Sequence, residues 1–190
     1  MKPQVRILGI DDSPFKFGGG KSLVVGAVVR APGYLEGVMK TEVDIDGDDA
    51  TEKLVEMISS SRYKEQAKAI MLDGIALAGF NVVDIGTLYS ELKIPVLTLT
   101  RDEPDFDKMR SALKAHFRDW ERRYELITKH ELRKIETEHN PIYASGLGLD
   151  WEEFGNLIRA STVRGVVPEP LRIAHIVSSA MVRGESYGRS

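Results

Sequence analysis

The chain contains no cysteine, which rules out disulfides, thiolate metal ligands and a thiol nucleophile together and suits a reducing compartment. Long apolar runs are also missing. None approaches the ~20 residues that a membrane span requires, so no membrane partner is expected. The opening Met1-Lys2-Pro3-Gln4-Val5-Arg6 lacks the apolar core of a signal peptide and runs directly into a strand-like segment, so a cytoplasmic location is expected. Histidine is scarce, and His116, His130, His139 and His175 do not fall at zinc-site spacings. What remains is 190 residues, 42 % hydrophobic and 29 % charged, the composition of a single folded domain spanning residues 1–190.

The net charge of −3 is unpromising for a nucleic-acid binder, whose affinity rests on cations displacing counterions from phosphate. The distribution says more than the sum. Lys108 to Lys134 holds nine Lys or Arg against four acids, whereas Thr41 to Glu52 holds six acids and no base. An acidic pocket for cations beside a basic flank for phosphates satisfies both demands. The basic stretch alone is equally compatible with a solvated helix carrying i,i+4 ion pairs.

Val5 to Ile10 is continuously apolar, the pattern of a central strand covered on both faces. Ser22 to Arg30 and Tyr34 to Ile45 predict two antiparallel neighbours, joined by the turn Ala31-Pro32-Gly33. Asp49 with Glu52 three positions on predicts a helix start, followed by Leu54, Val55, Met57 and Ile58 at helical spacing. Ala67 to Leu72 and Pro95 to Leu99 read as strands around a helix from Val83 to Leu92, and Pro104 to about Lys134 reads as helical. Asn140 to Tyr143 predicts a short strand or extended lead-in. Asp150 then caps a helix bearing Trp151, Phe154, Leu157 and Ile158, and Glu169 opens a last helix. Three strands followed by alternating helices and strands describe an α/β fold: an RNase H-like mixed sheet with flanking helices.

Two strand-like runs end in acids, Ile7-Leu8-Gly9-Ile10 in Asp11-Asp12 and Ala69-Ile70-Met71-Leu72 in Asp73. A carboxylate at the C-terminal end of a strand sits at the rim of the sheet, where a divalent cation collects such groups. Each acid alone is also a good turn former, but together they favour chemistry. Asp11 and Asp73 are the first candidate Mg²⁺ ligands, and Asp49 is the chosen third, with helix capping its competing role. Asp12 is expected as an outer neighbour. Arg101, just past the strand ending at Leu99, would bring positive charge to a pentavalent phosphate. Gly18-Gly19-Gly20-Lys21-Ser22 looks like a phosphate-binding loop, but Phe15 stands where the first glycine belongs and a strand follows instead of a helix. Those glycines read instead as a mobile loop offering Phe15 and Phe17 to a base. Asp84 reads as a helix cap.

Taken together, these landmarks resemble endonuclease V and, more closely, the related archaeal family called endonuclease dU. The resemblance rests on Gly9-Ile10-Asp11-Asp12-Ser13-Pro14-Phe15, Asp46-Gly47-Asp48-Asp49-Ala50-Thr51, Met71-Leu72-Asp73-Gly74 and Gly79-Phe80-Asn81-Val82-Val83-Asp84. It continues through Ile94-Pro95-Val96, Asn140-Pro141-Ile142-Tyr143 and Pro168-Glu169-Pro170-Leu171-Arg172-Ile173-Ala174-His175. The resemblance implies an RNase H-like fold, metal-binding aspartates at Asp11 and Asp73, and Arg101 where endonuclease V has a lysine near the scissile phosphate. It departs at the strand-separating wedge of endonuclease V, which is absent before Asp46, and at a glycine-histidine pair whose histidine has no match around Gly146-Leu147-Gly148.

The expectation is therefore a Mg²⁺- or Mn²⁺-dependent endonuclease acting on nucleic acid, DNA before RNA, at deaminated bases such as deoxyuridine or deoxyinosine. A catalytically silent nucleic-acid-binding protein with the same fold is the alternative, and a phosphatase or nucleotidase with small substrates is a third reading. Oligomeric state leaves no mark in the sequence.

Overall fold

The computed structural model describes residues 4–186. Strand β1 (Arg6–Asp12) is apolar on both sides because both sides are covered, with Ile7, Leu8 and Ile10 no more than 1 % exposed. Strands β4 (Ala69–Asp73) and β7 (Val96–Thr100) share that character and extend the sheet in parallel. Antiparallel β2 (Lys21–Arg30) and β3 (Tyr34–Asp44) complete one side, and β8 (Arg133–Ile135) and β9 (Ile142–Leu147) the other. The seven strands run in the order β3-β2-β1-β4-β7-β9-β8. This is the mixed sheet that the order of apolar runs predicts.

Alternation along each strand assigns the two faces. Leu8, Ile10, Ile70 and Leu72 pack toward α1 (Ala50–Ser59) and α2 (Ile85–Leu92). Ile7, Met71, Leu97 and Leu99 face the other way, into the cluster of α5 (Trp151–Ser161) and Leu171 of α6 (Glu169–Arg183). By the same parity Asp11 and Asp73 belong to the α5/α6 face and Asp12 to the opposite one.

Helix α6 crosses β1 and β2, burying Ala174 against Ala27 and Val29. Its approach is close. A Cβ on Gly9 would lie 2.2 Å from both the carbonyl carbon and the carbonyl oxygen of Pro170, so only glycine leaves room for the helix. Pro170 sits in the first turn of α6, where its missing N–H leaves no intrahelical bond unmade.

The structure departs from expectation in three places. The helical stretch from Pro104 to Lys134 is two helices, α3 (Phe106–His116) and α4 (Trp120–Thr128), before the chain turns into β8. The break falls at Phe117, which turns inward onto Phe80 with ring centroids 5.7 Å apart, and so lets Leu113 and Ile127 share one buried cluster. A small hairpin of β5 (Ala76–Leu77) and β6 (Asn81–Val82) precedes α2, whose start is Ile85 and not Val83. The Asp84 side chain accepts hydrogen bonds from the Gly86 and Thr87 N–H groups, as a cap should. The extended segment expected over Asn140 to Tyr143 runs on to Leu147 as β9.

Replacing Gly9 with Ala forces α6 off β1. We expect a loss of about 1–3 kcal/mol or more, read as a fall in Tm of several degrees, because the obstructing atoms are backbone and cannot rotate away. An unchanged Tm would contradict the close approach.

Candidate active site at the rim of the sheet

The strands β1 and β4 pair through Ile10 and Leu72, so one further step sets Asp11 beside Asp73. Neighbouring strands stand ~4.8 Å apart, close enough for two carboxylates to share a cation. Asp73 in turn pairs with Leu99 of β7, and Arg101, two residues further on and just past the strand, is near enough for its charge to act on Asp73. Sheet register alone thus brings together the two aspartates expected from the sequence.

Asp11 is 6 % exposed and both of its oxygens are engaged. Its Oδ1 accepts the Asp12 N–H at 2.9 Å, and its Oδ2 lies 2.8 Å from Nδ1 of His175 on α6. The hydrogen bond to Asp11 holds the His175 imidazole above its ordinary range, helped by the charges of Asp11 and Asp73. Ser178, one turn further along α6, donates to the Asp12 carbonyl at 3.2 Å. The close contact at Gly9 is what lets α6 reach this far.

Burial pushes the Asp73 carboxyl up to about 6, with repulsion from Asp11 adding to it and the charges of Arg101 and His175 opposing it. Asp12, on the other face, is pushed up to about 7 by burial and then by Asp11, while a hydrogen bond from the Ala78 backbone lowers it. Three carboxyl groups therefore crowd one rim with one arginine and one histidine as countercharge. Among the described residues no three acidic or histidine side chains are gathered closely enough to clasp an ion unaided. Mg²⁺ does not need that, since it keeps several waters and accepts one or two carboxylates. The donors are hard oxygens in under-compensated negative charge, which fits Mg²⁺ or Mn²⁺.

Asp49, expected as the third metal ligand with helix capping as its competing role, has one carboxylate oxygen in a hydrogen-bond network of its own. It occupies the N-cap position of α1 without making a side-chain cap. Its Oδ1 instead accepts from Asn81 Nδ2 at 2.6 Å and from the Asp44 N–H at 3.1 Å, while Asn81 Oδ1 accepts the Ala50 N–H. Its carboxylate thus fastens the loop after β3 to the β5–β6 hairpin, and it is not among the charges acting on Asp73. Asp46 adds a second fastening, accepting the Phe80 N–H at 2.9 Å through Oδ1.

Arg123 of α4 locks the same two segments from outside. Its Nη1 donates to the carbonyls of Gly47 and Phe80 at 2.7 and 2.6 Å, its Nε is paired with Asp119, and its guanidinium lies over the Phe117 ring. The hairpin that serves Asp12 through Ala78 is thereby tied to the basic helices.

The structure brings Asp11, Asp73 and Arg101 to one rim and adds His175, which sequence reasoning passed over. The sequence signal for it is the Pro168-Glu169-Pro170 segment, whose helix delivers the imidazole seven residues after Pro168.

The family model for endonuclease dU matches residues 3–182. The UPF0215 protein of Methanosarcina mazei is 45 % identical over 193 residues, covering 100 % of this chain and 97 % of its own length. A protein of unknown function from Archaeoglobus fulgidus, known as a crystal structure, superposes with a TM-score of 0.87 at 42 % identity, covering 95 % of this chain and 100 % of its own. Human endonuclease V superposes with a TM-score of 0.63 at 16 % identity, covering 95 % of this chain and 85 % of its own. Endonuclease V of Ciona intestinalis, solved with DNA containing an inosine followed by a ribo-adenosine, gives 0.61 at 14 % identity, with 95 % and 87 % covered. The fold expected from the sequence, RNase H-like and similar to endonuclease V, is thus the fold observed.

Asp12, Asp73 and His175 all hold a proton more tightly in the folded protein than in the unfolded chain. Each therefore supports folding at low pH and loses that support as pH rises, the carboxyls between about 4 and about 7. In EDTA, Asp12→Asn should gain Tm relative to the wild type on going from about pH 5 to about pH 8, and Mg²⁺ should narrow that gap at the higher pH. A pH-independent difference between the two proteins would contradict this electrostatic account.

Proposed function

The chain belongs to the endonuclease dU family, and from that we propose that it is a Mg²⁺- or Mn²⁺-dependent endonuclease, residues 1–190 acting as one unit, that hydrolyses phosphodiester bonds in DNA at deaminated bases such as deoxyuridine or deoxyinosine. The observation that carries this reading is the register of β1 and β4, which sets Asp11 beside Asp73, with His175 hydrogen-bonded to Asp11 and the Arg101 charge acting on Asp73.

Asp11 and Asp73 would hold the ion, with Asp12 adding negative charge beside them and Asp49 keeping the neighbouring loop in place. A bound divalent ion lowers the pKa of a water molecule and neutralises charge on the phosphate. The protein's own share is positioning. Arg101 would meet the non-bridging phosphate oxygens. His175, with Nδ1 committed to Asp11, keeps its ring orientation and has Nε2 left to exchange a proton with the attacking or leaving oxygen.

Support for a nucleic-acid substrate comes from the helical pair α3–α4. Lys108, Arg110, Lys114, Arg118 and Arg122 are exposed there. Arg110 lies over Trp120 and Tyr124 at 5.8 and 5.7 Å, and Lys114 over Trp120 at 4.6 Å. These cations stand on one rigid platform, since α4 is anchored by Arg123 to the loops around the carboxylates. The Ciona relative's complex with inosine-containing DNA supports the same substrate class.

The silent nucleic-acid binder keeps one argument, the absence of a ready three-ligand cluster among the described residues. Cleavage separates the two. Oligonucleotides containing deoxyuridine, deoxyinosine or normal bases only should be cut in Mg²⁺ or Mn²⁺ but not in EDTA, and Asp73→Asn should lower the rate at least about a hundredfold while keeping its fold by circular dichroism. Binding without metal-dependent cleavage would establish the silent binder instead. Reversing charge at Lys114 and Arg118 together should weaken DNA binding and reduce the slope of log K against log salt by about 0.9 for each phosphate that is no longer neutralised. An unaltered slope would move the DNA path off α3–α4.

A further inference from the structure

The loop between β1 and β2 has no part in the chemistry described so far, although it begins at Ser13, directly after Asp12. Phe17 at its tip is 77 % exposed, the most exposed large hydrophobic side chain among the described residues. Phe15 braces it edge-on, with ring centroids 5.2 Å apart and planes at 78°. Three glycines follow at once, Gly18, Gly19 and Gly20, with φ of +118°, +98° and +100° and nothing within 4 Å of where a Cβ would stand. That backbone favours glycine, and the space around it is open.

Both ends of the loop are pinned. Ser13 donates its N–H to the Leu23 carbonyl at 2.7 Å, the Ser13 and Ser22 hydroxyls meet at 3.3 Å, and Gly20 accepts the Ile45 N–H at 2.9 Å. A braced aromatic pair on a glycine hinge thus rises from a fixed base at the carboxylate rim. Phe17 follows Asp12 by about five residues, so the ring lies within ~17 Å of it at ~3.4 Å per residue, the rise of about five base steps. Lys16, beside the ring, is exposed.

We propose that Phe17, backed by Phe15, stacks on an unpaired nucleobase of the strand held at the carboxylate rim, which makes single-stranded or locally opened DNA the preferred form of substrate. The inference rests on the nuclease reading above. A phenyl ring offers a base its face and no hydrogen bond, so the contact tolerates any base but requires that base to be unstacked. The glycine hinge lets the ring follow the base, and Lys16 is placed to meet the adjoining phosphate.

The test measures binding in EDTA, where cleavage plays no part, by fluorescence anisotropy with a labelled single-stranded 15-mer and the matching blunt duplex. Phe17→Ala should bind the single strand about tenfold more weakly and the duplex almost unchanged, and Phe17→Trp should keep the wild-type affinity. An abasic residue moved along the single strand should, at one position, weaken the wild type by a similar factor and weaken Phe17→Ala no further. Wild-type affinity in Phe17→Ala, equal losses on both DNA forms, or abasic effects that simply multiply with the substitution would overturn the inference and leave the nuclease reading intact; in those cases the exposed ring serves an apolar protein surface. No binding of any oligonucleotide by the wild type would overturn the inference, with metal-dependent cleavage deciding the nuclease reading separately.

Discussion

The contact between the backbone of Pro170 and the bare Cα of Gly9 governs much of this molecule. Helix α6 covers β1 and β2 without an intervening layer of side chains at that point, and its register on the strand is therefore set by main-chain atoms. Register on the strand becomes position at the rim: it brings His175 to Asp11 and Ser178 to the Asp12 carbonyl. A helix held away by ordinary side chains, at the usual ~8–10 Å between elements, would leave the imidazole short of the carboxylate.

The rim also shows why a folded protein keeps a destabilising arrangement. Asp12 and Asp73 are shifted upward by burial and by repulsion from Asp11, with Arg101 and His175 as partial compensation at Asp73. Carboxyl groups shifted in this way are found more often at functional sites than elsewhere. The basic side chains of α3 and α4 come from a separate part of the sequence, and Arg122 reaches Asp48 of the loop after β3 at 3.5 Å.

The parts of this design that were legible in the sequence are the local ones. Apolar runs ending in Asp11 and Asp73 could be read because a buried parallel strand leaves an unbroken signature, and Arg101 followed from the strand before it. The α3–α4 break was not legible, since Phe117-Arg118-Asp119 contains neither glycine nor proline, and the turn exists because Phe117 packs on Phe80. The two-residue strands of the β5–β6 hairpin are too short to show a period. His175 and Asp11 are 164 positions apart, and no local pattern encodes such a pair. The partners of Asp49 were hidden for a related reason: its place before a helix was plain, but Asn81 and the Asp44 N–H reach it only because of how the hairpin folds back.

Arg123 carries a consequence of a different kind. One guanidinium donates to the carbonyls of both Gly47 and Phe80, which belong to separate loops and have no regular ladder between them. Arg123 thus adds an anchor from α4 to two loops that Asp46 and Asp49 already fasten to each other. The Ala78 amide that serves Asp12 belongs to the same hairpin, so a helix far from Asp12 in sequence braces the surroundings of its carboxyl group.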